Sequence, residues 1–265
     1  MTEEAAGDAK GKNVVASLAK GFRVLEAFTA REPELLLSEV ARRAGLDNAT
    51  AFRFLNTLVM LGYVTKVPGT KRFCLTLKPL ELGFHAIANS ELRDLARPLL
   101  RNLVGELNEA ASLGILEGPD IVFIERVHAG LIRLGADLRI GSRIPAYYTA
   151  IGQAVLAFLP ETELARVLAA SRIHRVAPRA PATREEVVAR LVDVRRDGFA
   201  LSDADSVSGL RVLAVPVLDR DGGVAAGLSV AAPTVRMPVE EFTRLAMPRL
   251  RECATQLGQG LSVVG

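Results

Sequence analysis

Ser38-Glu-Val-Ala-Arg-Arg-Ala-Gly-Leu-Asp-Asn-Ala-Thr-Ala-Phe-Arg-Phe-Leu-Asn-Thr-Leu-Val-Met-Leu-Gly-Tyr-Val-Thr-Lys-Val-Pro-Gly-Thr-Lys-Arg-Phe73 holds two helical patterns, a break between them and a hairpin pattern behind them. Ser38 has the chemistry of an N-cap, and Val40, Ala41 and Ala44 mark a short apolar helix after it. Gly45 can adopt the positive φ that stops a helix. Asn48 is expected to cap a second helix, in which Ala51, Leu55, Leu58 and Met60 or Leu61 recur at helical spacing. The opposite face of that helix offers Thr50, Arg53 and Asn56, all able to hydrogen-bond to bases or phosphates. Two short helices joined by a turn of about four residues make a helix-turn-helix, whose second helix enters the major groove of DNA.

The segment that follows strengthens this reading. Tyr63–Val67 and Arg72–Leu77 alternate like two strands, with Pro68-Gly69-Thr70-Lys71 as the turn. Such a hairpin is a wing, and it places Thr70, Lys71 and Arg72 at its tip and Lys66 on its first strand, within reach of a DNA backbone or minor groove. Charge agrees with the placement. Residues 1–85 carry 12 Lys and Arg against nine Asp and Glu, whereas residues 86–265 carry 21 of each. Between 41 and 80 the basic residues are Arg42, Arg43, Arg53, Lys66, Lys71, Arg72 and Lys78, against the single acid Asp47. The whole net charge of +3 therefore sits around the motif, as suits a polyanion whose counterions are released on binding.

Working outward, Leu18, Phe22 and Leu25 predict a helix over Ser17–Phe28, ended by Glu32-Pro33-Glu34, and Leu35-Leu36-Leu37 is a short apolar run before the motif. Residues 1–14 are polar and of mixed charge and read as a flexible arm. Helices are predicted over 79–89 and Ser90–Asn108, the second with Leu92, Leu95, Leu99, Leu103 and Leu107 near a period of 3.6; residues 78–110 read as linker helices. From Ala111 the pattern changes to short strands: Ser112–Glu117, Ile121–Val127 and Leu131–Leu138. Gly141–Tyr148 reads as a loop and Thr149–Leu159 as an apolar helix. Helices at 161–170 and 183–197 precede strands at 199–202, 210–218 and 224–232, and a last helix covers about 238–259. A mixed sheet with helices packed on it makes the whole chain α+β: a winged helix-turn-helix over 15–77 and a sensor-type domain over 111–265.

Composition narrows the function classes. With 265 residues, 49% of them hydrophobic, the chain can bury a sizeable core. No run of apolar residues is long enough to span a bilayer, and the N-terminus lacks the apolar stretch of a secretory signal, so a cytoplasmic protein is expected. Cys74 and Cys253 are too far apart in sequence for a zinc ribbon or a disulfide framework. His85, His128 and His174 show no metal-ligand spacing. Ser17-Leu-Ala-Lys20 has the S-x-x-K spacing of serine β-lactamases but no partner motif; Asn48-Ala-Thr50 is a formal glycosylation sequon; Gly222-Gly223 lacks the context of a phosphate loop. No nucleophile–base pair, metal set or cofactor motif emerges, so no enzyme activity and no cofactor are expected.

Several segments together resemble the IclR family of bacterial transcriptional regulators. They are Ala16–Phe28, the Ser38–Tyr63 motif, Pro145-Ala-Tyr-Tyr-Thr-Ala-Ile-Gly-Gln-Ala-Val-Leu-Ala157, Gly209-Leu-Arg-Val-Leu-Ala-Val-Pro-Val217 and Gly227-Leu-Ser-Val-Ala-Ala-Pro233. The likeness runs in the family's order over residues 15–260, and Pro145–Thr149 further resembles the branch that regulates protocatechuate and 4-hydroxybenzoate routes. Gln153 departs from it, standing where the family usually has a basic residue.

The resemblance implies a GAF/PAS-like effector-binding domain whose pocket is lined by Tyr148, Thr149, Ala150, Ile151, Ser202, Val212, Ser229 and Ala231. The residues themselves suit a small acid: a helix start at Thr149, a hydroxyl on Ser229, an aromatic face on Tyr148 and apolar walls from Ile151 and Val212. Arg133 and Arg211 are the cations expected to meet its carboxylate, with a surface ion pair as the alternative role of each. The expected function is that of a homodimer or dimer of dimers on a pseudo-palindromic double-stranded DNA operator, controlled by a small effector. That effector is an aromatic carboxylate or, alternatively, a glyoxylate-like or amino-acid ligand. The rival is an enzyme carrying an N-terminal interaction module.

Overall fold

The computed structural model describes residues 14–88, 91–129, 138–203 and 209–261, in two compact units that divide after Ala88. The first unit runs α1 (Ala16–Glu26), β1 (Glu34–Leu36), α2 (Leu37–Ala44), α3 (Asn48–Met60), β2 (Val64–Lys66), β3 (Arg72–Leu75) and α4 (Pro79–Ala88). Apolar residues at helical spacing on α1, α2 and α3 meet over one core of Val24, Val40, Leu55 and Leu58, closed by Leu35, Val64 and Phe73 from the strands. Gly45 ends α2 in the left-handed region at φ 64°, and the Leu46 N–H turns back to the Ala41 carbonyl at 2.9 Å. The expected helix-turn-helix with a wing is therefore present.

Three local details differ from the sequence reading. Ser38 lies inside α2: the extended residue before the helix is Leu36, and its N–H is taken by Glu39 Oε2 at 2.7 Å, so a glutamate three residues on reaches back to cap the helix. Asp47, not Asn48, caps α3: Asp47 keeps extended backbone and its Oδ1 accepts from the Thr50 N–H at 2.8 Å, leaving Asn48 as the first helical residue. The run Leu35-Leu36-Leu37 supplies a strand, because β1 pairs antiparallel with β3 and extends the wing to a three-stranded sheet in the order β1-β3-β2.

The second unit runs α5 (Glu91–Leu107), β4 (Ala110–Glu117), β5 (Asp120–Val127), β6 (Arg143–Pro145), a 3₁₀ turn (Ala146–Tyr148), α6 (Ala150–Leu156), α7 (Glu161–Ala170), α8 (Arg184–Asp197), β7 (Ala200–Asp203), β8 (Leu210–Leu218), β9 (Val224–Pro233) and α9 (Val239–Leu261). The segment 141–148, read as a loop, thus holds a short strand and a helical turn, and residues 131–137 of the expected strand Leu131–Leu138 lie outside the described residues. The strands form one sheet in the order β6-β5-β4-β9-β8-β7. Every described pairing is antiparallel, where a mixed sheet was expected within the α+β class. Of the helices in 78–110, α4 clusters with the first unit while α5 packs into the second, its Ala96, Leu100, Leu103 and Val104 buried with α9.

Alternation along the strands gives the sheet two different faces. One carries Leu113, Leu213, Val215, Leu228 and Val230 into a core closed by α5 and α9. The other carries small residues, Ala200, Ala214 and Gly227, beneath α6, with α8 behind it. A β-bulge interrupts this alternation between β4 and β5: Leu113 faces Glu125 and Gly114 faces Phe123, so Ile124 is the extra residue. Among the described residues no helix is long and apolar enough to cross a membrane.

Candidate functional site

In the first unit, α3 buries Ala51, Leu55 and Leu58, which turns Ala49, Arg53, Asn56 and Thr57 outward. Arg53 is exposed, and its guanidinium has no partner among the described residues. Asn56 is also exposed, whereas Thr50 lies on the flank, half-buried, its N–H bonded to Asp47. Asn48 is exposed at the start of the helix. Hydrogen bonding from Thr50, first from its side chain and then from its backbone, holds the Asp47 carboxyl below its ordinary pKa.

The wing residues divide by whether they are already engaged. Lys71 is exposed at the tip and partner-free among the described residues. Thr70 shapes the turn, donating from Oγ1 to the Val67 carbonyl and accepting from the Arg72 N–H. The Lys66 ammonium lies 5.8 Å from the centre of the Phe73 ring. Arg72 is tied to β1 and α2, donating to the Glu34 carbonyl at 3.0 Å and facing Glu39 at 3.4 Å. Of the two arginines on α2, Arg43 is held by the Ala27 carbonyl and Glu32, while Arg42 is exposed and has no partner among the described residues. Arg42, Arg53 and Lys71 are thus charges the fold leaves uncompensated.

In the second unit the residues expected around a pocket gather on the small-residue face. Ser202 pairs across the sheet with Val212, Val212 with Ala231, and Ala214 with Ser229, which makes two adjacent rows on one side. Thr149, Ala150 and Ile151 start the helix that lies over this side. Ile151 leans on Gly227, where an added Cβ would come within 2.7 Å of its Cγ1. Thr149 Oγ1 accepts the Gly152 N–H at 3.1 Å, so its hydroxyl is used as the cap. Tyr148 is half-buried and meets Tyr147 edge to face at 5.1 Å. Burial pushes its phenol pKa up. Gln153, at the position of the usual basic residue, is buried and donates from Nε2 to the Tyr147 carbonyl at 3.1 Å, so it fastens the preceding turn.

Of the two arginines expected to meet an acid, the structure describes one. Arg133 lies outside the described residues. Arg211 neighbours Val212 on β8, and strand alternation puts it on the opposite face. There its Nε donates to Asp203 Oδ1 at 2.7 Å and its Nη1 to the Met237 carbonyl at 2.6 Å. A cation that does lie on the small-residue face is Arg126. It stands opposite Ser112, which stands opposite Ser229, and its Nη1 donates to Ser112 Oγ at 2.6 Å. Sequence reading did not single out Arg126, although it is a basic residue within a predicted strand.

A winged helix-turn-helix joined to a sheet-and-helix unit with a polar patch beneath one helix is the build of a transcriptional regulator with its own ligand-binding domain. The chain belongs to the IclR family. Residues 17–68 match the IclR helix-turn-helix domain, and residues 84–259 match the bacterial transcriptional regulator IclR C-terminal domain. The HTH-type transcriptional regulator KdgR of Escherichia coli (strain K12) is 34% identical over 252 residues, 94% of this chain and 95% of that protein. Among solved structures, a transcriptional regulator from Rhodococcus sp. RHA1 is 37% identical with a TM-score of 0.82, covering 95% of this chain and all of that one. An IclR homologue from Microbacterium hydrocarbonoxydans is 25% identical with a TM-score of 0.76, covering 92% of this chain and 98% of that one. The relatives are regulators, and the chain is a transcriptional regulator and not an enzyme.

Proposed function

We propose that this regulator binds operator DNA as a homodimer or dimer of dimers and is switched by a small aromatic carboxylate held between α6 and the small-residue face of the sheet. The observation that carries the DNA reading is Arg53 on the outward face of α3, beside Asn56 and matched by Lys71 on the wing, both cations without a partner among the described residues. Arg53, Thr50 and Asn56 read base edges or flanking phosphates; Asn48, Lys66, Thr70 and Lys71 hold the backbone, while Arg72, tied to Glu34 and Glu39, braces the wing. Two copies related by a two-fold axis present two recognition helices, which calls for a pseudo-palindromic site. The effector acts by binding one arrangement of the dimer better than the other.

Support for an aromatic acid comes from Tyr148, Ile151 and Val212 around the patch and from the Microbacterium hydrocarbonoxydans relative, whose structure is a complex with 4-hydroxybenzoate. A second reading, an aliphatic small acid, is favoured by the serines Ser112, Ser202 and Ser229 on the same face. Thermal-shift titration with 4-hydroxybenzoate, protocatechuate, glyoxylate and amino acids separates the two, alongside anisotropy on operators selected from a random duplex library. Stabilisation by aromatic acids that also changes operator affinity is the expected outcome. A response to aliphatic acids alone ends the aromatic assignment.

A further inference from the structure

Among the described residues, Arg126 is a cation with no anion beside it. Its Nη1 is engaged by Ser112 Oγ, a neutral oxygen, while its Nε is sealed from solvent with no hydrogen-bond partner. Burial pushes its pKa down with no opposing charge, and among the described residues no carboxylate lies within ion-pair distance. The neighbouring carboxylate, Glu125, points to the other side of the sheet, where Arg93 Nε at 3.1 Å and Arg97 Nε at 3.4 Å hold it. A half-buried guanidinium left this way destabilises a fold unless something else completes it. Of the two forked edges of the guanidinium, Nε with Nη2 is the one on which neither nitrogen is engaged, two parallel N–H donors matched to the two oxygens of a carboxylate.

We propose that the Nε–Nη2 edge of Arg126 is the carboxylate anchor of the effector site, on a floor shared with Ser112 and Ser229. The proposal rests on the reading of the α6 face as the ligand site. It deepens that reading by fixing the required group as a carboxylate, whatever skeleton carries it, and by assigning it to a residue the resemblance did not supply. Arg126 and Ser229 are two strands apart, about 10 Å between backbones, a span that an arginine side chain and a ring-sized acid fill together.

The test uses the full chain, the variants Arg126→Met and Arg126→Lys, and four probes: 4-hydroxybenzoate, pyruvate, and the neutral amide of each. Calorimetry on the wild type should show an acid bound at least tenfold more tightly than its amide. Arg126→Met should weaken acid binding about ten- to a hundredfold, with Arg126→Lys between the two. Without any ligand, Arg126→Met should hold or raise the Tm by about 2–4 °C, since an uncompensated charge is gone. A structural arginine predicts the reverse, a lower ligand-free Tm with acid binding retained, and that result overturns the proposal. So does a wild type that binds the amides as well as the acids, or responds to neither acid. Which acid binds decides between the aromatic and aliphatic readings; acid against amide, and the response to Arg126→Met, decide this one.

Discussion

Arg126 and Arg211 are strand residues of the same sheet, both at least half-buried, yet the sheet treats them oppositely. Arg211, on the face closed by α5 and α9, is met by a carboxylate and a carbonyl, and its charge is spent inside the fold. Arg126, on the face under α6, is met by one serine hydroxyl. The surrounding residues follow suit: leucines and valines fill the first face, while alanines, a glycine and serines floor the second. One sheet therefore carries a structural side and a receiving side, and a buried charge with no counter-charge beside it among the described residues marks the receiving side. The first unit obeys the same criterion, with Arg43 and Arg72 tied down and Arg42, Arg53 and Lys71 left open.

Adjacent residues of β9 separate the two faces most clearly. Leu228→Ala on the packed face should cost about 2–5 kcal/mol of unfolding free energy by denaturant titration. Ser229→Ala, one residue along on the receiving face, should cost about 1 kcal/mol or less. Equal losses would mean the two faces do not differ in kind. In the first unit, Arg53→Ala should weaken operator binding by about 1–3 kcal/mol with Tm unchanged, whereas Arg43→Ala should lower Tm and spare affinity. An Arg53 variant that titrates operator like the wild type removes Arg53 from the interface. A smaller effect is expected of Lys71→Ala: a similar loss on every DNA sequence, with the salt slope shallower by about 1. If the loss depends on sequence, Lys71 touches bases instead of phosphates.

The smallest effect concerns the α3 cap. The bonds from Thr50 lower the Asp47 pKa below its ordinary 3.8, so the folded state holds this proton more weakly than the unfolded chain does. The contribution of the cap is complete above about pH 5 and is lost as pH falls through and below 3.8. Asp47→Ala should thus lower Tm at neutral pH, and the gap to wild type should close in acid. A gap that persists below pH 3 would show that the charge of Asp47 is not what caps the helix.

Much of this was legible in the residues. The periodicities of α2, α3 and the wing, and the switch to strands after Ala111, are local signals that the fold respects. The caps were misplaced because Ser38 and Asn48 have the right side chains one or two positions too late, and only the backbone shows which residue stays extended. Strand β1 was missed because three leucines carry no period of their own; pairing with β3 is what defines them. Arg211 and Val212 were both assigned to the pocket although they are neighbours on a strand, and alternation alone separates them. Arg126 was hidden for a different reason. Counting by twos from Ile121 and Phe123, both of which pack under α6, puts Glu125 on that side and Arg126 on the other.

The structure has them the other way round because of the single extra residue at Ile124. Deleting Ile124 would restore strict alternation and leave Arg126 under α6, whereas smoothing out the bulge at unchanged length would bring Glu125 there, an acid where the base now stands, with no substitution involved. Transfer of residue roles between this chain and a relative is therefore safe across β5 only where both strands carry the bulge at the same place. A relative with the same residues on a regular strand would turn the opposite charge toward a ligand.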